Sequence, residues 1–188
     1  LFRLLAAGEE PSALSSLTGI DPWFLNQMRR IVDVDAELRV AGAVPGSWPE
    51  DLVRQAKRMG CADRHLATRL TLTEAEVRAR RLKQGLRPVM KAVDTCAGEF
   101  AALTPYFYSS YEAEDEVPTA TRPRVIILGS GPNRIGQGLE FDYCCVQAAL
   151  ELKERGYDVI MHNSNPETVS TDYDISTRLY FEPLTLED

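Results

Sequence analysis

The residues with the most chemical potential in this chain lie between Gly129 and Gly138, in Gly-Ser-Gly-Pro-Asn-Arg-Ile-Gly-Gln-Gly. A glycine-rich loop after a strand lets bare backbone N–H groups approach a ligand, and the N-terminus of a following helix adds partial positive charge. With Arg134 supplying a guanidinium, Gly129, Gly131, Arg134, Gly136 and Gly138 form a candidate anion-facing loop for carboxylate, carbonate or phosphate. The alternative is that the glycines serve only a tight turn and that Arg134 pairs with Glu140 or Asp142. Two carboxylates belong to the same edge: Glu140 in the first helical turn after the loop, and Glu167 in Asn165-Pro166-Glu167-Thr168. Glu140 is equally suited to complementing the helix dipole, and Glu167 to decorating a loop. Read as functional, the pair walls an anion path at the carboxyl ends of neighbouring strands, the usual ligand edge of an open α/β sheet.

Near matches to better-known loops fail on specific residues. A P-loop needs lysine and a hydroxyl after its final glycine, but Gln137-Gly138 follow Gly136. A dinucleotide fingerprint needs a third glycine where Arg134 stands, and an acidic residue after the second strand, where His162-Asn163-Ser164-Asn165 stand.

Those residues require a strand, a helix and a parallel strand to hold them. Arg124-Val-Ile-Ile-Leu128 has the apolar run of a strand buried on both faces. A helix follows, with Phe141, Cys145, Ala148, Ala149 and Leu152 on one stripe and Gly156 at its end. Asp158-Val-Ile-Met161 supplies the second strand, and a short third is expected near Leu179 to Phe181.

The first part reads as short helices, giving a helical domain over 1–103. Asp21-Pro22 starts one of about four turns carrying Phe24, Leu25, Met28, Ile31, Val32 and Leu38. Ser47-Trp48-Pro49 starts a second, which Gly60 closes, and a small helix begins near Asp63 with Leu66 and Leu70. Thr73-Glu-Ala-Glu76 has capping-box spacing, with Gly85 as terminator. A last helix is expected around Cys96 to Ala102. Residues 104–123, aromatic at Tyr106, Phe107, Tyr108 and Tyr111 and acidic from Glu112 to Glu116, read as a connector with a solvated second half. Trp23, Phe24 and Trp48 are either interface anchors or core aromatics.

A net charge of −7 gives no general attraction for nucleic acid or an anionic membrane. One segment points the other way: Leu66 to Val77 followed by Arg78, Arg80, Arg81 and Lys83 has the outline of a helix-turn-helix, although Glu74 and Glu76 sit where base contacts would begin. No apolar run approaches the roughly 20 residues of a membrane span, and the expected compartment is the cytoplasm. Cys61, Cys96, Cys144 and Cys145 lack Cys-x-x-Cys spacing, and only His65 and His162 could join them in a zinc site, so reduced, buried thiols are expected. The chain starts at Leu1 and stops just after Thr185-Leu-Glu-Asp188, which reads as a helix being started, so both ends look cut.

Longer stretches carry a resemblance. Leu128 to Tyr143, Asn163-Ser-Asn-Pro-Glu-Thr-Val-Ser-Thr-Asp-Tyr173 and Leu179-Tyr-Phe-Glu-Pro183 resemble the start of the carbamoyl-phosphate-forming half of carbamoyl-phosphate synthetase large chains. Thr18 to Leu25, Val93 to Phe100 and Tyr106 to Glu112 are similar to that family's oligomerisation domain and the segment leaving it. Ser130 stands where glycine or alanine also occurs. The resemblance implies an all-helical domain followed by an incomplete Rossmann-like pre-ATP-grasp βαβ segment at 124–188. It implies a ligase using ATP, magnesium or manganese, and potassium to make carbamoyl phosphate from bicarbonate and ammonia, for arginine and pyrimidine biosynthesis. A glutaminase small subunit or domain would supply the ammonia, and the helical domain would form a homo-oligomer. Glu140 and Glu167 would line the carbamate path, and Asn133, Arg134 and the loop glycines would face the second site, with no catalytic residue or metal ligand in this segment and no activity of the segment alone.

Overall fold

The computed structural model describes residues 1–101, 104–132 and 140–187. They fall into two compact units, Leu1–Arg87 and Pro88–Asp188.

The first unit is helical: α1 (Phe2–Ala6), α2 (Pro11–Thr18), α3 (Pro22–Gly42), α4 (Glu50–Arg58), α5 (Asp63–Leu70) and α6 (Glu74–Lys83). Asp21 caps α3 by accepting from Trp23 N at 2.8 Å, ahead of a proline whose fixed φ suits the first turn. Leu25, Val34 and Leu38 of α3 are buried, and Leu25 joins Leu5 and Leu14 in one apolar cluster. The helix runs 21 residues, longer than the four turns expected. Its last residue explains why it can: a Cβ on Gly42 would lie 1.9 Å from the Arg69 carbonyl oxygen, so only glycine admits α5 this closely.

Two aromatics differ from the core assignment. Trp23 and Phe24 are 61% and 56% exposed, stacked edge to face 5.0 Å apart, whereas Trp48 donates Nε1–H to Gln84 Oε1 at 2.9 Å beneath Arg80. Arg80 also reaches the Gly46 carbonyl, and Arg81 is buried against Asp63. Those two arginines therefore serve the fold, which removes them from the phosphate contacts of a helix-turn-helix reading.

The capping box at α6 forms in full: Glu76 N donates to Thr73 Oγ1 at 3.2 Å and Thr73 N to Glu76 Oε2 at 2.7 Å. Thr73→Ala is expected to lower stability of the helical unit by about 1 kcal/mol in thermal denaturation followed by helical circular dichroism. The Thr73 backbone N–H, then its hydroxyl, hold the Glu76 carboxyl below the usual carboxylate range. Its contribution is therefore present above the unfolded pKa of about 4.3 and lost as pH falls through the lower folded value. A Glu76→Gln variant should melt below wild type at neutral pH and converge with it in acid.

The second unit is a five-stranded mixed sheet in the order β1-β2-β5-β4-β3, with β1 (Val89–Ala92), β2 (Tyr106–Ser110), β3 (Arg124–Leu128), β4 (Asp158–His162) and β5 (Arg178–Tyr180). Only β1 and β2 pair antiparallel; β2/β5, β5/β4 and β4/β3 are parallel. Between β3 and β4 runs α7 (Glu140–Glu154), whose Val146 and Ala149 pack with Val159 and Ile175. A 3-10 turn, Val169–Thr171, lies between β4 and β5.

Several expectations are corrected here. No helix forms around Cys96 among the described residues, because the chain is committed to the sheet on either side. Val93 N donates to the Tyr106 carbonyl, Cys96 N to Asp94 Oδ1 in a side-chain turn, and Ala97 adopts φ 52°. The aromatic part of the expected connector is β2, with Phe107 buried beside Tyr180 and Tyr106 beside Phe181. Its acidic part is exposed, as expected for a solvated segment, with one anchor: Glu116 accepts from Lys91 Nζ at 2.7 Å and Ala92 N at 2.9 Å. Strand β3 is not covered on both faces, since Ile126 and Leu128 are 55% and 64% exposed while Ile127 faces the core. In α7 the buried stripe includes Val146 rather than Ala148. Residues 185–187 form no helix, and the cysteine thiols are half-buried or, for Cys144, exposed.

Candidate functional site

Strands β3, β4 and β5 end side by side, and one side chain ties the loops after β3 and β4 together. Asn163, the first residue after β4, is fully buried. Its N–H donates to the Tyr180 carbonyl at the end of β5. Its Oδ1 accepts from Gly131 N at 3.1 Å in the loop after β3, and its Nδ2 donates to Ser170 Oγ at 3.4 Å. The buried amide thus ties the loop after β3 to the loop after β4, while the main-chain N–H holds β5; truncation would orphan the Gly131 N–H at about 1–3 kcal/mol.

Gly129 continues the β3/β4 ladder by donating to the His162 carbonyl at 2.8 Å. A Cβ there would lie 2.5 Å from Asn163 Cγ and 2.6 Å from its Nδ2, so the first loop glycine exists to admit this side chain. Gly131 takes φ 73° and turns its N–H to the amide. Asn133, Arg134, Gly136 and Gly138 lie outside the described residues.

Beyond the amide, Asp142 in the first turn of α7 is buried and accepts from Ser170 N at 3.0 Å, pinning the helix start to the loop after β4. This is the use the described residues give Asp142; its alternative partner, Arg134, lies outside them. Thr171 Oγ1 lies within hydrogen-bonding distance of the Asn165 and Thr168 carbonyls, and the His162 ring meets the Pro183 carbonyl at 3.2 Å.

Glu140 opens α7, and its side chain lies outside what is described. Glu167 is exposed on the loop after β4, its N–H donating to Asn165 Oδ1 at 3.0 Å. Both acids belong to segments that follow the carboxyl ends of the adjacent parallel strands β3 and β4. Asn163, Ser170 and Asp142 were not singled out from sequence as site residues; an asparagine directly after a buried strand, across from a glycine, was the available signal.

A parallel α/β layer with the loops after β3 and β4 laced by one buried amide defines a Rossmann-like module, preceded in the chain by a helical unit. Family comparison narrows the class. Residues 121–188 match the family described as carbamoyl phosphate synthase preATP-grasp domain, and residues 1–85 that described as carbamoyl-phosphate synthetase large chain, oligomerisation domain. The carbamoyl phosphate synthase large chain of Renibacterium salmoninarum is 57% identical over 186 residues, covering 99% of this chain and 16% of the relative. That of Rhodopirellula baltica is 55% identical over 182 residues, covering 96% and 17%, and that of Deinococcus radiodurans 53% over 188 residues, covering 100% and 18%. The chain belongs to the carbamoyl phosphate synthase large-chain family, and spans 16 to 18% of the length of these relatives.

Proposed function

We propose that this chain is the segment of a glutamine-dependent carbamoyl-phosphate synthetase large chain that joins its two synthetase halves. The whole protein makes carbamoyl phosphate from bicarbonate, ammonia and two ATP, with a glutaminase subunit or domain supplying the ammonia, in the cytoplasm, for arginine and pyrimidine synthesis. The helical unit serves homo-oligomerisation, and the α/β unit forms part of the rim of the second active site. The observation that carries this reading is the Asn163 lacing, in a chain whose two family matches occur in this order.

Carbamate is short-lived in water, so its passage calls for a lining that holds shape and excludes solvent. Asn163, Gly129 and Asp142 hold the described part of that lining, with Gly131 N–H and Ser170 N–H already spent on them. Glu140 and Glu167 provide the carboxylates of the path, and the loop from Gly129 to Gly138, with Arg134, faces the anion.

ATP, magnesium or manganese, and potassium belong to the whole protein. Among the described residues no three His, Cys, Asp or Glu side chains gather to hold a metal. Because it spans only 16 to 18% of its relatives' length, the chain alone is expected to show no ATP hydrolysis and no carbamoyl phosphate formation; turnover by the purified 188-residue chain would contradict this. In the whole enzyme, Glu140→Ala should leave bicarbonate-dependent ATP hydrolysis standing while product falls. Equal loss of both activities would count against a conduit.

A further inference from the structure

Helices α1, α3 and α5 line an open pocket of about 280 Å³ in the helical unit. Phe2, Ile31 and Val32 supply its apolar wall, and Arg3, Arg39 and Arg69 are among the residues that line it. Asp35 is the one acidic side chain lining it, and both its oxygens are engaged. Oδ1 meets Arg69 Nε and His65 Nε2, the latter at 2.8 Å, and Oδ2 meets Arg39 Nη2 at 2.9 Å. A guanidinium carries five N–H donors, so one bond each to Asp35 leaves Arg39 and Arg69 with donors to spare. Arg3 has no ion-pair partner among the described residues.

The pocket is therefore cationic by two even with its aspartate ionised and His65 neutral. Burial would raise the Asp35 carboxyl, yet Arg69, His65 and Arg39 outweigh it and hold the group below the usual carboxylate range, as expected in a positive local field. The surroundings agree: Leu1–Arg87 holds 14 lysines and arginines against 11 aspartates and glutamates, a surplus of three in a chain whose total is −7.

We propose that this pocket binds a small organic oxyanion bearing a short apolar tail, a carboxylate or a phosphate monoester. The arginines match the planar or tetrahedral head by paired N–H donation, and Phe2, Ile31 and Val32 cover the tail. Its volume is at the small end of ligand clefts, about 300 Å³ and upward, which suits a single head group and short chain rather than a nucleotide. This site is independent of the conduit, and its failure would leave that reading untouched.

Titration calorimetry on the whole large chain tests it, with hexanoate, hexyl phosphate and inorganic phosphate as probes. Wild type should bind one equivalent of hexanoate or hexyl phosphate that the Arg3→Gln/Arg39→Gln variant lacks or binds at least tenfold more weakly, with carbamoyl phosphate synthesis unchanged. Binding of only one of the two tailed probes supports the site and identifies the head group. The exposed single substitution Arg3→Glu should have the same effect, and serves if the double variant melts early. Equal stoichiometry and affinity in wild type and Arg3→Glu would overturn the proposal. So would inorganic phosphate binding as tightly as hexyl phosphate, because the apolar wall would then contribute nothing.

Discussion

Asp63→Ala is expected to destabilise the helical unit by about 3–5 kcal/mol, a large part of the roughly 5–15 kcal/mol that holds a domain folded. Asp63 is the shared carboxylate of a buried triad. Its Oδ1 lies 3.2 Å from Lys57 Nζ and its Oδ2 2.7 Å from Arg81 Nε, with all three side chains about 1% exposed. Carbonyl groups share the load: Lys57 also donates to the Cys61 carbonyl at 2.7 Å and Arg81 to that of Leu86 at 3.4 Å. Those bonds satisfy donors but not charge, so deleting the carboxylate removes the buried negative charge that both cations share. Replacing all three residues by apolar ones of similar volume should cost far less than the single change, because no uncompensated charge then remains. Chemical denaturation of the three proteins decides it. A loss below about 1 kcal/mol for Asp63→Ala would mean that water reaches the triad.

Gly129→Ala is expected to damage the strand-end loops most severely for its size. The new methyl must displace Asn163, whose Cβ would lie 2.8 Å away in addition to the closer Cγ and Nδ2, and overpacking of this kind costs about 1–3 kcal/mol. Pushing the amide away also breaks its bond to Gly131 N, orphaning a buried donor for a further 1–3 kcal/mol or so. Since both losses pass through one side chain, Gly129→Ala and Asn163→Ala should be non-additive, the double variant costing less than the sum of the singles. Independent costs in a double-mutant cycle would show that Asn163 is not the link between the loops.

The sequence showed some of this architecture and hid other parts for identifiable reasons. Helices α4 to α6 were legible because their ends carry their own chemistry: proline and acidic residues opening α4, and a Thr73–Glu76 box whose partners are three residues apart. Strands β3 and β4 were legible as short apolar runs joined through a helix. Strands β1 and β2 were not, because what makes them strands is pairing with each other and with β5, and β2 meets β5 across some seventy residues of chain, as in Tyr106 with Leu179. Nothing local in Tyr106-Phe-Tyr-Ser-Ser separates a strand from an aromatic connector. The exposure of Ile126 and Leu128 was hidden for the opposite reason, since an edge strand and a central one can share the same apolar run. At the candidate site, glycines and acids stand out by type, so Gly129, Gly131, Glu140 and Glu167 could be named. Asn163 could not be ranked above its neighbours Ser164 and Asn165, because its importance lies in a glycine 32 residues away.

Under the proposed function, the rim held by Asn163 conducts an intermediate to the second phosphorylation rather than building either nucleotide site. The ratio of ADP released to carbamoyl phosphate formed by the whole enzyme carrying Glu167→Ala, with bicarbonate, ammonia and ATP saturating, tests this. Product should fall about tenfold or more, a barrier change of about 1.4 kcal/mol, while bicarbonate-dependent ADP release holds and the ratio climbs. A ratio that stays at the wild-type value, whether both rates fall together or neither changes, would contradict it.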